Sequence, residues 1–344
     1  MSDTPVVVGA GATHEGRRKH NEDNFFIDNE LGLFVVADGV GGQDAGEIAS
    51  DIVCTTIGDS VRQGDGLHDA ILKANQAIAD AIARGHGRPG MASTIVVLRA
   101  KGELYELAWL GDSRVYLWDG KLKLLSRDHS LVESLLATGE ISLDEAQSHP
   151  KKNVILAALG GGDANINVGQ NGGLLRKGAR FLLCSDGVSD VLSPASIAQW
   201  LDCGESESEI ARGLVQAVVD SQGKDNITAV VVGVHESAYD LTANDEHVEV
   251  VRTFDPETGE HEYHRKERVQ TSGKVKKLQP LSPNDEGVTE FKSSHAVQSH
   301  VVDTHEVEPT VADTGFDSRW VSIRNRTGLV ILIIIAALGL VLLL

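Results

Sequence analysis

The sequence predicts a mixed α and β domain built on a largely antiparallel sheet, running from residue 5 to about 235. Three observations carry this. Apolar, β-branched runs recur at 5–8, 32–37, 94–99, 104–110, 114–118, 180–184 and 228–234. Two long stretches, 45–61 and 67–84, instead space Ala and Ile at helical intervals. Hairpin connections outnumber strand–helix alternation, with Asp119–Gly120 as one turn signal, and that balance favours antiparallel pairing.

Taken in order, PVVV at 5–8 leads into GAGATHEG, which looks at first like a dinucleotide-binding turn. It fails as one, because His14 stands where the third glycine belongs and no helical pattern follows. The run at 32–37 stops at Asp38 and is followed by Gly39, Gly41 and Gly42. After the two helices, the runs from 94 to 118 form a succession of strands. HSLVESLLATGEISLDEAQSH, after Asp128, is a further helical pattern whose Leu-Leu pair reads as core packing. LGGGDAN (159–165) reads as a turn, since it lacks the Gly-Lys-Ser/Thr of a phosphate loop. Helices at 194–201 and 209–222 precede the last strand.

Charged residues make up 24% of the 344 and hydrophobic residues 41%, a globular composition. The net charge of -19 argues against nucleic acid or an anionic membrane surface as main partner. Cys54, Cys184 and Cys203 form no C-x-x-C pair and read as reduced, mostly buried thiols of a cytosolic domain. The N-terminal MSDTPVVVGA lacks the features of a secretory signal.

The expected domain thus covers 1–236. Beyond it, 237–327 is polar and reads as a largely flexible tether, with a local hairpin around residues 255–259. GLVILIIIAALGLVLLL (328–344) is uncharged and apolar. As a helix it spans roughly 25 Å, a short transmembrane anchor. Arg319, Arg324 and Arg326 precede it and place the domain on the cytoplasmic side of the membrane.

A carboxylate at the end of a buried strand is costly unless paired or bound to a cation. One such position, Asp38, could be an ordinary capped turn. The device recurs, however: RFLLCSDGVSD ends in Asp186, LAWLGDSRVYL turns at Asp112, KDNITAVVV starts after Asp225, and RKHNEDNF carries Glu22 and Asp23. Together they suggest a shared basin of hard oxygen ligands suited to Mg²⁺ or Mn²⁺. Zinc is disfavoured, because no Cys/His set has the required spacing.

RKHNED, VVADGVGGQDAGEIAS, MASTIVV, GDSRVYL, RDHSLVESLLATGEI, CSDGVSD and KDNIT occur in the order of the metal-dependent, PP2C-type serine/threonine protein phosphatases, and resemble the bacterial branch. The resemblance covers nearly all of residues 5–235. It implies an α+β fold: a central β-sandwich of two antiparallel sheets flanked by helical pairs, with a two-metal site at one end. Carried over residue by residue, it implies that Asp38 bridges two Mn²⁺ or Mg²⁺ ions and that the Gly39 carbonyl is a ligand. Asp186 and Asp225 would hold one ion and Glu22 the other. Asp23 would orient a bound water. Asp112 and Asp190, with Asp186, would form a third site, and Arg18 would bind substrate phosphate.

The implied reaction is hydrolysis of phosphoserine and phosphothreonine in proteins by a metal-activated water, opposing a Ser/Thr kinase. The alternative, a catalytically weak member acting as a membrane-held binding module, predicts lost carboxylates, and every one is present. Val40 stands where some relatives carry a leaving-group histidine. His129 and His149 fall in the stretch resembling the family's flap and read as solvated or capping side chains. In the tether, Thr310 with Asp313 and Thr314 with Asp317 resemble phosphothreonine ligands of FHA domains.

Overall fold

The computed structural model describes residues 5–41, 45–161, 166–237, 248–254 and 261–267. The chain opens with strands β1 (Val6–His14), β2 (Asp23–Asp28) and β3 (Leu33–Val40), then helices α1 (Ala45–Arg62) and α2 (Leu67–Ala83). Strands β4 (Ala92–Ser93), β5 (Ile95–Lys101), β6 (Leu104–Leu110), β7 (Arg114–Trp118) and β8 (Leu122–Leu124) follow. Short helices α3 (Leu131–Ala137) and α4 (Leu143–Ser148) precede β9 (Gly169–Leu174) and β10 (Arg180–Cys184). Then come α5 (Asp186–Ser189), α6 (Pro194–Asp202), α7 (Glu207–Asp220) and β11 (Ile227–Glu236), and last β12 (Val248–Phe254) with β13 (His261–Glu267).

Two antiparallel sheets result. One has the order β1-β11-β10-β7-β8, and the other β2-β3-β5-β6-β9 with β4 paired to β3. Their facing sides form the central core, where Phe34, Val36, Val96 and Leu98 meet Phe181, Leu183, Val230 and Val232. Strand alternation sends the intervening residues outward. Val35, Val97 and Ala108 pack under Ile57, Ile71 and Ile78 of α1 and α2. Leu182 and Val231 pack under Ile197, Leu201, Ile210 and Leu214 of α6 and α7. Both faces of these strands are therefore buried, which is why they appear in sequence as unbroken apolar runs.

The strand expected at 5–8 continues to His14, and its glycines explain why. A Cβ at Gly9 would stand 2.3 Å from the Phe34 ring, and one at Gly11 2.7 Å from the Phe25 ring. Glycine there is what lets aromatic rings of the opposite sheet sit against the β1 backbone. The helical pattern after Asp128 is broken into α3 and α4 by Gly139, whose φ is 72°. A capping box between Ser142 and Glu145 starts α4. None of the α3 residues is fully buried, so its leucines are half-buried and not core, contrary to expectation. Ser206 and Glu209 form a second capping box, and α7 accordingly begins at Glu207, two residues before the expected start.

Cys54 and Cys184 are buried, whereas Cys203 is exposed. The hairpin expected near 255–259 is present as β12 paired with β13 in the register Phe254↔His261. Among the described residues no helix is long and apolar enough to cross a membrane. The anchor expected at 328–344, Thr310, Thr314 and most of the tether lie outside the described residues.

Candidate active site

The strand ends gather the carboxylates. Asp38 lies near the end of β3, directly opposite Asp23 of β2. Its backbone is held by Thr94, whose N–H donates to the Asp38 carbonyl (2.8 Å) and whose Oγ1 accepts from the Asp38 N–H (3.2 Å). Thr94 is itself bonded to the Ser113 hydroxyl at 2.8 Å, beside Asp112. The glycine that follows Asp38 answers to contact. A Cβ at Gly39 would lie 2.0 Å from the Gly46 carbonyl oxygen, and one at Gly46 2.7 Å from Glu22 Oε1. Bulk at either place would expel Glu22 from the corner between β3 and α1.

The other sheet contributes through β10 and β11. β10 hands the chain to α5, which starts at Asp186 and is capped by Asp190, while Asp225 precedes β11. Asn226 ties in the loop that bears Arg18 and Glu22. Its Oδ1 accepts from the Glu22 N–H (2.9 Å), and its Nδ2 donates to the carbonyls of Glu15 (3.0 Å) and His20 (2.9 Å). Asp112 follows Gly111, whose φ of 109° suits glycine alone in this turn.

The electrostatics of this group are dominated by burial and by repulsion between neighbouring carboxylates. Burial, then repulsion from Asp23, Asp186, Asp112 and Asp225, pushes Asp38 well above the usual carboxylate range. Asp186 rises to about 8 through burial and then Asp112, Asp225, Asp190 and Asp23. Asp112 rises to about 6, mainly by burial and next by Asp128. Asp23 also rises to about 6 by burial, although hydrogen bonds from Ser185 and Thr228 pull the other way. Asp23 Oδ1 and Asp112 Oδ1 are buried with no hydrogen-bond partner.

Orphaned buried oxygens among mutually repelling carboxylates fit hard divalent cations. Among the described residues, no group of three or more His, Cys, Asp or Glu side chains stands ready to hold a metal ion. Two of the expected ligands are met by cationic side chains instead. Arg18 Nη2 donates to Asp225 Oδ2 at 2.8 Å, and Lys152 Nζ to Asp190 Oδ2 at 2.9 Å. Arg18 thus faces an expected ligand, with Glu22 and Asp186 close enough to reinforce its charge.

The flap histidines act on backbone. His129 Nδ1 accepts from the Gly111 N–H (3.2 Å), and burial lowers the pKa of its ring. His149 ends α4, and its Nδ1 accepts from the Lys151 N–H (3.2 Å). Val40 is 37% exposed and supplies no acid. Sequence reasoning missed Thr94, Ser113, Ser185, Asn226 and Thr228. All five stand within quoted motifs, and small polar residues beside strand-end carboxylates were the signal to follow.

Comparison with known proteins agrees with this picture. The family model described as protein phosphatase 2C matches residues 10–218. The serine/threonine protein phosphatase PstP of Mycobacterium tuberculosis is 35% identical over 232 residues, which is 65% of this chain and 44% of that protein, so the match spans under half of the relative's length. The serine/threonine phosphatase stp of Listeria innocua is 33% identical over 64% of this chain and 93% of its own. The crystal structure of PstP superposes with a TM-score of 0.62 at 33% identity, covering 67% of this chain and all (100%) of that one. The PstP catalytic domain in complex with 2 manganese ions gives 0.61 at 32% identity, over 68% of this chain and 100% of its own. By its ordered motifs, its paired antiparallel sheets and these likenesses, the chain belongs to the protein phosphatase 2C family.

Proposed function

We propose that this protein is a divalent-cation-dependent phosphatase that removes phosphate from phosphoserine and phosphothreonine in proteins. The observation that carries the reading is the set of crowded, mutually repelling carboxylates at the ends of two sheets, Asp38 and Asp23 from one and Asp186 from the other, with the half-buried Asp225 beside them. Asp38, the Gly39 carbonyl, Glu22, Asp186 and Asp225 would hold two Mn²⁺ or Mg²⁺ ions, and Asp112 and Asp190, with Asp186, a third. When bound, such ions lower the pKa of a water nucleophile and offset the charge of a phosphoryl group. Arg18 is next to this set, and its planar fork suits two phosphoryl oxygens once it leaves Asp225. Asp23 accepts a proton or orients a water from behind Asp38.

In the same reading, residues 328–344 anchor the enzyme to the membrane with the domain in the cytoplasm, where it opposes a Ser/Thr kinase. Thr310 and Thr314, once phosphorylated, would give an FHA-type partner a docking point on the tether. Binding of that partner to phosphorylated but not unphosphorylated tether peptide tests this last contact.

The central test is phosphate release from a phosphothreonine peptide by the full chain in detergent. It compares Mn²⁺, Mg²⁺, EDTA and Asp38→Asn under Mn²⁺. Turnover that needs the cation and vanishes in the variant supports the phosphatase. A folded protein silent in both metals refutes it.

A further inference from the structure

Ser185 occupies the N-cap of α5, where a serine hydroxyl ordinarily accepts from an N–H of the first turn. Here it makes no such bond. The residue is fully buried (0% exposed), and its Oγ accepts from the Thr228 N–H at 3.1 Å. Its single proton goes to Asp23 Oδ2, 2.7 Å away, and a carboxylate can only accept it. The backbone joins in, because the Ser185 N–H donates to the Thr228 carbonyl at 3.1 Å.

Thr228 continues the chain. Its hydroxyl lies 2.7 Å from that of Thr13. Thr13 accepts from Asn21 Nδ2 (2.8 Å), and Asn21 Oδ1 accepts from the Asp23 N–H (3.2 Å). The hydrogen bonds close a ring: Asp23, Ser185, Thr228, Thr13, Asn21 and back to Asp23. It draws β1, β11 and the β10–α5 corner of one sheet to β2 of the other. Asp23 Oδ2 is thereby committed, while Asp23 Oδ1 stays buried with no hydrogen-bond partner, on the strand position opposite Asp38.

We infer that Ser185 is a positioning residue of the reaction: by holding Asp23 Oδ2 it fixes the carboxylate plane and presents Oδ1 to the groups gathered at Asp38. Forfeiting the helix cap is what frees the hydroxyl for this task. The same serine directly precedes Asp186, so the corner that delivers one expected metal ligand also sets the orientation of Asp23. The inference rests on the phosphatase reading for what Oδ1 serves, but the ring itself does not depend on it.

The test is a double-mutant cycle of Ser185→Ala and Asp23→Asn in the full chain. It is read by kcat and KM on a phosphothreonine peptide and, separately, by calorimetric Mn²⁺ affinity. Removing an outer hydrogen-bond partner of this kind costs about tenfold to a hundredfold in activity or metal affinity. The expected result is a kcat lowered by that factor with KM within about twofold, a matching loss of Mn²⁺ affinity, and no further loss when Ser185→Ala is added to Asp23→Asn. Ser185→Thr, which keeps the hydroxyl, should recover most of the loss. If Ser185→Ala does not fold, the near-isosteric Ser185→Cys, a weak donor, takes its place in the same cycle. Wild-type kcat and Mn²⁺ affinity in the single variant, or losses that multiply in the double variant, would overturn the inference. Should the wild-type protein release no phosphate, the phosphatase reading fails while the Mn²⁺ cycle still decides the role of Ser185.

Discussion

Two groups of buried charge lie side by side in this domain and are built on opposite principles. Arg114 grips Asp128 with its Nε and Nη2, the shortest contact being 2.7 Å, and the pair is largely out of solvent. Burial works against the charge on Arg114, yet the hydrogen bonds it donates to Asp128 and the charge of that carboxylate outweigh it. Next to it, Asp112, Asp38, Asp186 and Asp23 are buried among one another and all rise above the usual carboxylate range. The first group has its counter-charge within the chain. The second makes no ion pair of its own among the described residues, Arg18 being held by Asp225, and this is the place the proposed cations would fill.

Breaking each group should therefore have different consequences. Asp38→Asn should abolish metal-dependent phosphate release, by on the order of a thousandfold, because several kcal/mol of charge stabilisation at the reacting phosphoryl are lost. The same substitution removes repulsion, so the metal-free variant should melt at or above the wild-type temperature in calorimetry. A variant that loses both activity and metal-free stability would show Asp38 to be structural.

Asp128→Ala should do the reverse. It strands the Arg114 charge and should cost about 3 kcal/mol in urea unfolding, while kcat per folded molecule stays within about tenfold. An unchanged unfolding midpoint would remove one side of the comparison.

The raised carboxylates also set a pH dependence. In the folded, metal-free protein Asp38, Asp186, Asp112 and Asp23 hold protons that the unfolded chain has released. Their contribution is therefore fully favourable below pH ~4, the ordinary carboxylate value, and is lost as pH rises toward about 8, where Asp186 titrates. Wild-type stability should fall more steeply across that window than that of Asp38→Asn. Parallel profiles would contradict the repulsion. Saturating Mn²⁺ should flatten the wild-type slope.

The smallest effect should come from Lys152→Ala, which uncovers Asp190. Both side chains are more than a third exposed, at 44% and 36%, so water replaces the ammonium. The change should stay under about 1 kcal/mol, and a larger loss would mean that the flap is held by this contact.

The fold and the site were unevenly legible in the sequence. Strands buried on both faces, such as 33–40 and 227–236, announced themselves as apolar runs, and α1 and α2 by helical spacing. β2 and β9 did not: DNFFID is short and half-buried, and GQNGGL has almost no side-chain signal. β1 was cut short because its glycines answer to Phe34 and Phe25, contacts made only after the two sheets meet. The carboxylates showed as a repeated strand-end device. The polar ring of Thr13, Asn21, Ser185 and Thr228 did not, since its members are over two hundred residues apart at the extreme and only folding brings them together. Even the sandwich came from resemblance to a family, not from periodicity.

The most direct measurement is a calorimetric titration of the metal-free full chain with Mn²⁺, run beside Asp38→Asn and followed by melting of each end point. At least two ions bound by the wild type are expected, with stability raised by about 2.7 kcal/mol per independent site at a hundredfold excess over Kd, and with binding largely lost in the variant. A folded wild-type chain that takes up no Mn²⁺, or a variant that binds it equally well, would contradict the view that these carboxylates are kept unpaired for a metal.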